Sequence, residues 1–166
     1  NSAQVFESEL KKHPTLPFRV IKIEKNKGYG HGILQGLRSA KGEVLAWTHA
    51  DMQTDPLDVL VGFDLFIENK DKRSMLLVKG KRRNRPWLDE FFTKGMDLFA
   101  SFMLKIRLND INAQPKIFSK YFFDKIQADA PLDFSLDLYF LYHGTKNGQV
   151  LDFPVYFNQR LHGEAK

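Results

Sequence analysis

The apolar residues of the chain recur with two different spacings, and each spacing predicts one kind of secondary structure. Short apolar runs of the length of a buried strand occupy residues 44–47 and 75–78, a final strand is predicted at 150–157, and a weaker alternation predicts a strand at 18–23. Apolar residues three and four positions apart predict helices at 2–12, 33–40, 56–69, 87–107 and 134–143. Strands that alternate with helices are typical of an α/β domain, so we predict a mostly parallel mixed sheet with helices on both faces.

Residues 44–56 are the stretch in which this pattern changes most abruptly. The apolar run gives way to a polar loop that carries Asp51 and Gln53 and ends at Asp55, a residue type typical of a helix N-cap. In an open α/β sheet, ligands bind at the loops that follow the carboxyl ends of strands. A carboxylate and an amide two residues apart can share one hard cation when phosphate oxygens complete its shell, so we predict a metal–diphosphate site here. His49 is either a further ligand or a polar residue leaving the sheet, and its position alone favours the second.

A glycine-rich turn at residues 26–32 precedes the second predicted helix. Gly28, Gly30 and Gly32 allow close approach of the backbone to a ligand, and the following helix offers free N–H groups to an anion, with Lys27 beside them. The spacing is not that of a dinucleotide-binding turn. On the sequence alone, a tight strand-to-helix turn is the better interpretation.

A basic run follows the predicted strand at 75–78. Five of the seven residues at 79–85 are lysine or arginine. The run is equally compatible with a solvated loop and with a site for a diphosphate or a phosphate-bearing acceptor, to which arginine supplies paired donors. No aromatic residues lie between these cations, which argues against stacking on single-stranded nucleic acid, and we expect no nucleic-acid partner.

The longest periodic segment, at residues 87–107, is rich in phenylalanine. Its apolar stripe is most simply part of the core. In a rival interpretation, one edge of the stripe contacts a membrane surface with Lys94 and Lys105 at the interface. Further along, Asp133 is predicted to cap the helix at 134–143, and Asp137, one turn inside that helix, can face a cleft.

Composition narrows the classes of protein. The 166 residues suffice for one domain, which we predict to span residues 1–166. The absence of cysteine excludes disulfides and thiolate chemistry, and a net charge of +5 favours an anionic partner. The sequence shows no apolar run of the ~20 residues that a membrane helix needs.

Four stretches, in this order along the chain, resemble the motifs of glycosyltransferase family 2, which has the GT-A fold, and most closely its dolichol-phosphate mannosyltransferase-like branch. The family patterns are Asn-x-Gly-x-Gly…Gly…Ala-x-Gly, Asp-Ala-Asp-Leu-Gln-x-x-Pro, Gly-x-Arg and Pro-Val…Arg-x-x-Gly-x-Ser-Lys. The matching stretches are Asn26-Lys27-Gly28-Tyr29-Gly30…Gly36…Ala40-Lys41-Gly42-Glu43, His49-Ala50-Asp51-Met52-Gln53-Thr54-Asp55-Pro56, Lys79-Gly80-Lys81-Arg82 and Val155…Arg160-Leu161-His162-Gly163-Glu164-Ala165-Lys166.

The resemblance implies transfer of a sugar from a nucleotide-sugar, with Mg²⁺ or Mn²⁺ between the protein and the diphosphate. It implies that the metal ligands are Asp51 and Gln53, with His49 as a further candidate. The residues implied for the donor and its phosphates are Lys27, Gly28, Gly30, Asp51, Arg82, Arg83, Arg160 and Lys166.

The implied acceptor is a polyprenyl phosphate or a saccharide. A lipid phosphate is already anionic and requires no base, whereas a hydroxyl acceptor requires one, for which Asp110 and Asp137 are the candidates. The implied setting is the cytoplasmic face of the membrane, with peripheral membrane contact, in polysaccharide or glycolipid assembly. Two other functions stay open: sugar-phosphate nucleotidyl transfer, and non-catalytic binding of phosphate or nucleic acid.

The sequence departs from the family pattern in two places. His49 stands where the family has the first Asp of its metal motif, which changes the ligand set and with it the metal preference. The amino-terminal strand of the family has no counterpart, so we expect that one or more N-terminal strands of the fold are missing from the chain.

Overall fold

The computed structural model describes residues 2–15, 17, 19–51, 53–69 and 75–157, and the following statements concern these residues. Helices and strands alternate through most of this region. In chain order they are α1 (Ser2–Lys12), α2 (Tyr29–Ser39), β1 (Val44–Trp47), α3 (Asp58–Asn69), β2 (Leu76–Arg83), α4 (Trp87–Leu104), β3 (Lys116–Ser119), α5 (Lys120–Ile126), α6 (Leu136–Asn147) and β4 (Gln149–Tyr156).

The described strands form one mixed sheet in the order β1-β3-β2-β4. Strand β3 is antiparallel to both of its neighbours, whereas β2 and β4 are parallel. Strands β1, β2 and β4 therefore run in the same direction, and only β3 is reversed. This arrangement confirms the predicted α/β class, with a sheet in which most strands share one direction.

Helices cover both faces of the sheet, as predicted. Because side chains alternate along a strand, Leu77 and Phe118 face one side while Val78 and Ile117 face the other. The first side packs on apolar residues of α2, α5 and α6, including the fully buried Phe140. The second side packs on α3 and forms a smaller cluster.

Two local predictions about strands are wrong. Residues 19–23 form no strand, and Val20 and Ile21 are exposed; alternation alone does not supply the backbone partners that a strand needs. The strand predicted at 75–78 is too short, because β2 continues through most of the basic run and pairs with β4 as far as Arg83. The sequence pattern also missed β3 and α5, where the buried Lys116 interrupts the apolar pattern.

The prediction that the phenylalanine stripe of α4 belongs to the core is also wrong. Asp97 and Ala100 are the buried residues of this helix. The residues that point outward include Phe91, Phe99 and Phe102, which are 67%, 67% and 78% exposed. Helical spacing shows that one face of a helix is apolar, but it does not show which face meets the domain.

We expect Phe140→Ala to destabilise the domain by about 3–5 kcal/mol, because it leaves a cavity among the aromatic rings of the larger cluster. The Phe140 ring lies 4.8 Å from the Trp47 ring and 5.0 Å from the Phe118 ring. Urea unfolding measures this change. The matched control is Phe6→Ala on α1, where the side chain is exposed, and its effect should stay within about 0.5 kcal/mol. Equal effects of the two variants would contradict the assignment of the core.

Candidate active site

The site lies at the edge of the sheet where the three co-directional strands end. His49 follows β1, Arg82 lies near the end of β2, and Phe157 follows β4. The rings of His49 and Phe157 are 6.0 Å apart, and the guanidinium carbons of Arg82 and Arg85 lie 5.5 Å and 5.8 Å from the Phe157 centroid. The fold thus brings the polar loop after β1 to the arginines of the basic run.

The loop after β1 holds the predicted metal ligands. The carboxylate Oδ1 of Asp51 accepts a hydrogen bond from the backbone N–H of Gln53 at 3.2 Å, which fixes the turn between the two residues. Burial is the main cause that lowers the pKa of His49 below its ordinary value, and its buried Nε2 has no hydrogen-bond partner. A neutral imidazole with such a nitrogen is suited to coordination.

What supports a divalent cation here is the donor types of these three side chains and the unpartnered Nε2 of His49. The described part of the chain contains no group of three or more His, Cys, Asp or Glu residues that could hold a metal. A set of one carboxylate, one amide and one imidazole resembles sites in which a few protein ligands act together with substrate phosphates.

Arg82 and Asp110 form an ion pair beside this loop. The carboxylate of Asp110 accepts hydrogen bonds from the backbone N–H and the Nε of Arg82, both at 2.8 Å, and from its Nη2. Burial alone would raise the pKa of Asp110, but the hydrogen bonds and the charge of Arg82 hold the pKa below its ordinary value. Asp110 is therefore an ionised partner that orients the guanidinium.

A second ion pair joins Lys116 of β3 to Asp137 of α6. The fully buried Lys116 ammonium donates to Asp137 Oδ1 and, at 3.0 Å each, to the carbonyls of Ile111 and Ala113. The other oxygen of Asp137 accepts from the Tyr29 hydroxyl at 2.8 Å. Burial and then the Asp137 charge raise the pKa of Tyr29. Asp137 is only 3% exposed, and both of its oxygens are bonded.

The glycine turn packs against the chain itself. Gly28 has a φ of +119°, and a Cβ there would lie 2.5 Å from the Leu132 carbonyl oxygen. A Cβ on Gly30 would lie 2.6 Å from the Pro131 carbonyl oxygen. These contacts give both glycines a packing role within the chain, but the turn does not follow a strand, because residues 19–28 form neither helix nor strand. The donor-binding role that the resemblance implies for Lys27, Gly28 and Gly30 stays a prediction, and Lys27 is exposed.

A basic cavity of about 250 Å³ lies between the end of β2 and α4. Its cations are Lys81, Arg82, Arg83, Arg85 and Lys94, and its carboxylates are Glu90, Asp97 and Asp110. The Arg85 side chain donates to the hydroxyl of Thr93 at 2.8 Å, which links the β2 side of the cavity to α4. With Asp110 neutralised by Arg82, the cavity favours an anion.

The structure brings most of the predicted site residues to one edge of the sheet. Besides burial, which lowers the pKa of His49 most, the charges of Asp51 and Asp137 raise that pKa and the charges of Arg82 and Lys116 lower it. His49 therefore lies within electrostatic reach of all four side chains. Arg160 and Lys166 lie outside the described residues, so their role stays a prediction. Sequence analysis missed five residues of this region: Asp97, Tyr29, Gln114, Lys116 and Phe157. For Asp97 a usable signal existed, because it is an acidic residue inside an apolar helical stripe.

The chain was compared with models of known protein families. The model described as Glycosyl transferase family 2 matches residues 1–125, which include the loop after β1, the basic run and the loop that carries Asp110. Comparison with curated proteins gives no match.

We expect Asp137→Asn to destabilise the domain by about 3–5 kcal/mol, because it leaves the buried Lys116 ammonium without its counter-ion. The control is Asp124→Asn, which breaks the exposed pair with Lys120 and should cost less than about 1 kcal/mol. Thermal and urea unfolding of both variants measure the difference. A small loss in Asp137→Asn would show that this pair does not hold the sheet edge together.

Proposed function

The chain belongs to glycosyltransferase family 2, and we propose that it transfers a sugar from a nucleotide-sugar to a polyprenyl phosphate. Family membership implies a nucleotide-sugar donor and an acceptor. It also favours sugar transfer over nucleotidyl transfer and over non-catalytic binding. We further propose that the acceptor is a polyprenyl phosphate, as it is for dolichol-phosphate mannosyltransferases.

The choice of acceptor rests on one observation: both carboxylates that could act as the base, those of Asp110 and Asp137, are already held in ion pairs. Asp110 is bonded to Arg82 through both oxygens, and Asp137 is bonded to Lys116 and Tyr29. A hydroxyl acceptor requires a base within reach of its proton. A phosphate oxygen is already ionised and attacks without one, so this arrangement supports a phosphate acceptor over a saccharide hydroxyl.

The outward face of α4 supports a lipid-borne acceptor. Its exposed apolar residues are Trp87, Leu88, Phe91, Phe92, Leu98, Phe99, Phe102 and Met103. Lys94 and Lys105 flank this face, and an apolar face with basic flanks is typical of helices that lie in a membrane interface. The opposite face of the same helix lines the basic cavity, so the phosphate of a lipid could enter the cavity while its chain stays in the membrane.

None of the helices in the described ranges has the length and hydropathy needed to cross a membrane.

In this proposal the protein side chains bind and orient the two anionic substrates. Arg82 and Arg83 contact phosphate oxygens, and the ion pair with Asp110 keeps the Arg82 guanidinium in place. His49, Asp51 and Gln53 would hold Mg²⁺ or Mn²⁺, which neutralises charge on the departing diphosphate. The reaction would take place at the cytoplasmic face of the membrane, where anionic lipids attract a protein of net charge +5. Glycolipid or polysaccharide assembly is the process that such a product serves.

We expect labelled sugar to pass from a nucleotide-sugar panel to polyprenyl phosphate in phosphatidylcholine–phosphatidylglycerol vesicles, and not to soluble saccharides. The double variant Phe99→Ser/Phe102→Ser should lower vesicle binding at least about tenfold, because two exposed aromatic side chains no longer enter the interface. The matched control is Leu57→Ser/Leu60→Ser, which changes two exposed apolar residues in and before α3. Transfer to saccharides instead, or equal binding by both variants, would contradict the proposed acceptor.

We expect Asp51→Asn to abolish Mn²⁺-dependent binding of the donor while the fold stays intact, because a neutral amide is a weaker ligand for a hard cation. Calorimetric titration with a nucleotide-sugar panel, with and without Mn²⁺, measures the effect. Asp64→Asn, which removes an exposed carboxylate from α3, is the control and should behave as the wild type. Unchanged donor affinity in Asp51→Asn would count against the metal assignment.

A further inference from the structure

One of the contacts between helix α4 and the rest of the domain is made by a buried carboxylate. Asp97 is 7% exposed, on a helix whose large apolar residues mostly face outward. A buried carboxylate is costly unless it accepts hydrogen bonds, and burial raises the pKa of Asp97 above its ordinary value against the effect of its bonds.

Both oxygens of Asp97 accept hydrogen bonds from the backbone of the loop between α4 and β3. Oδ2 accepts the N–H of Asp110 at 2.7 Å, and Oδ1 accepts the N–H of Ile111 at 3.3 Å. Asp110 has a φ of +47°, in the left-handed region that side chains other than glycine rarely adopt. The two bonds therefore hold the backbone of Asp110 in an uncommon conformation, at the residue whose carboxylate contacts Arg82.

The contact of Asp110 with Arg82 is an ion pair. The carboxylate of Asp110 receives the backbone N–H, Nε and Nη2 of Arg82, so its position sets that of the guanidinium. Asp97, Asp110 and Arg82 all line the basic cavity. A displacement of the loop would move Asp110 and, with it, the cation that faces the cavity.

We propose that Asp97 is a positioning residue for anion binding: through the backbone of Asp110 and Ile111 it fixes the Asp110 carboxylate, which in turn orients Arg82 towards a substrate phosphate. The identity of the bound group rests on the proposed function. The geometric part does not, because it concerns contacts that exist without a ligand.

The first measurement tests the geometric part. In ¹⁵N-labelled protein without ligand, the Arg82 Nε–H and the amides of Asp110 and Ile111 should give resonances displaced by their hydrogen bonds. Asp97→Asn should displace all three resonances, because an amide oxygen and an amide NH₂ cannot both accept from two N–H groups. Asp89→Asn removes the same charge from an exposed position of α4 and should leave the three resonances in place.

The second measurement tests the link to binding. Inorganic pyrophosphate serves as the probe in calorimetric titrations of the same proteins. We expect Asp97→Asn to lower the pyrophosphate affinity about tenfold, while Asp89→Asn changes it less than about twofold. Should Asp97→Asn fail to fold, Asp97→Ser replaces it. The serine side chain is shorter and has one oxygen, so it cannot accept from both amides, and we expect the same results.

The outcomes separate this inference from the proposed function. Unchanged Arg82 resonances in the Asp97 variant overturn the positioning role, whatever the ligand. Displaced resonances with unchanged pyrophosphate affinity show that Arg82 is not a phosphate contact, which overturns the role in binding. If the wild type itself binds no pyrophosphate, the phosphate site of the proposed function fails, while displaced resonances would still support the geometric part.

Discussion

The site depends on the pairing of carboxylates with buried or partly buried cations on β2 and β3. Three cations on strands each form an ion pair with a carboxylate that is distant in the sequence. The pairs are Lys79–Asp152, Lys116–Asp137 and Arg82–Asp110. Removing a charge from water costs several kcal/mol, and only a close counter-ion with further hydrogen bonds offsets it. Neither member of a pair is stable in its buried position without the other, so the three pairs fix how the strands and loops that carry them lie against each other.

The reversed strand β3 is what makes these pairs possible. Because β3 runs against its neighbours, its first residue, Lys116, lies opposite Trp47, the last residue of β1, and opposite Lys79 in the middle of β2. The preceding loop supplies Asp110 and the carbonyls that receive the Lys116 ammonium. Because of this one reversed strand, the surface next to the loop of Asp51 is polar and partly buried.

Helix α4 reverses the usual relation between a surface helix and its domain. Its polar residues Thr93 and Asp97 face the basic cavity, and its large apolar residues face outward. Contiguous exposed apolar surface of this kind marks an interaction site in a folded protein. In the proposed function this face meets the membrane, and the opposite face helps to position Arg82, so one helix connects the lipid surface to the phosphate site.

The sequence by itself determined the α/β class, the positions of β1 and β4, the loop that carries Asp51 and Gln53, and the resemblance to the family. These follow from local patterns, because strand runs, helix spacing, caps and short motifs are encoded within a few neighbouring residues. Tertiary structure alone decided that β2 runs through the basic residues, that α4 turns its apolar face outward, and that Asp110 and Asp137 are ion-pair partners. The partners of these carboxylates are 28 and 21 residues away, and periodicity carries no information about contacts over such distances. For the same reason the sequence could show that α4 has an apolar face but not what that face meets.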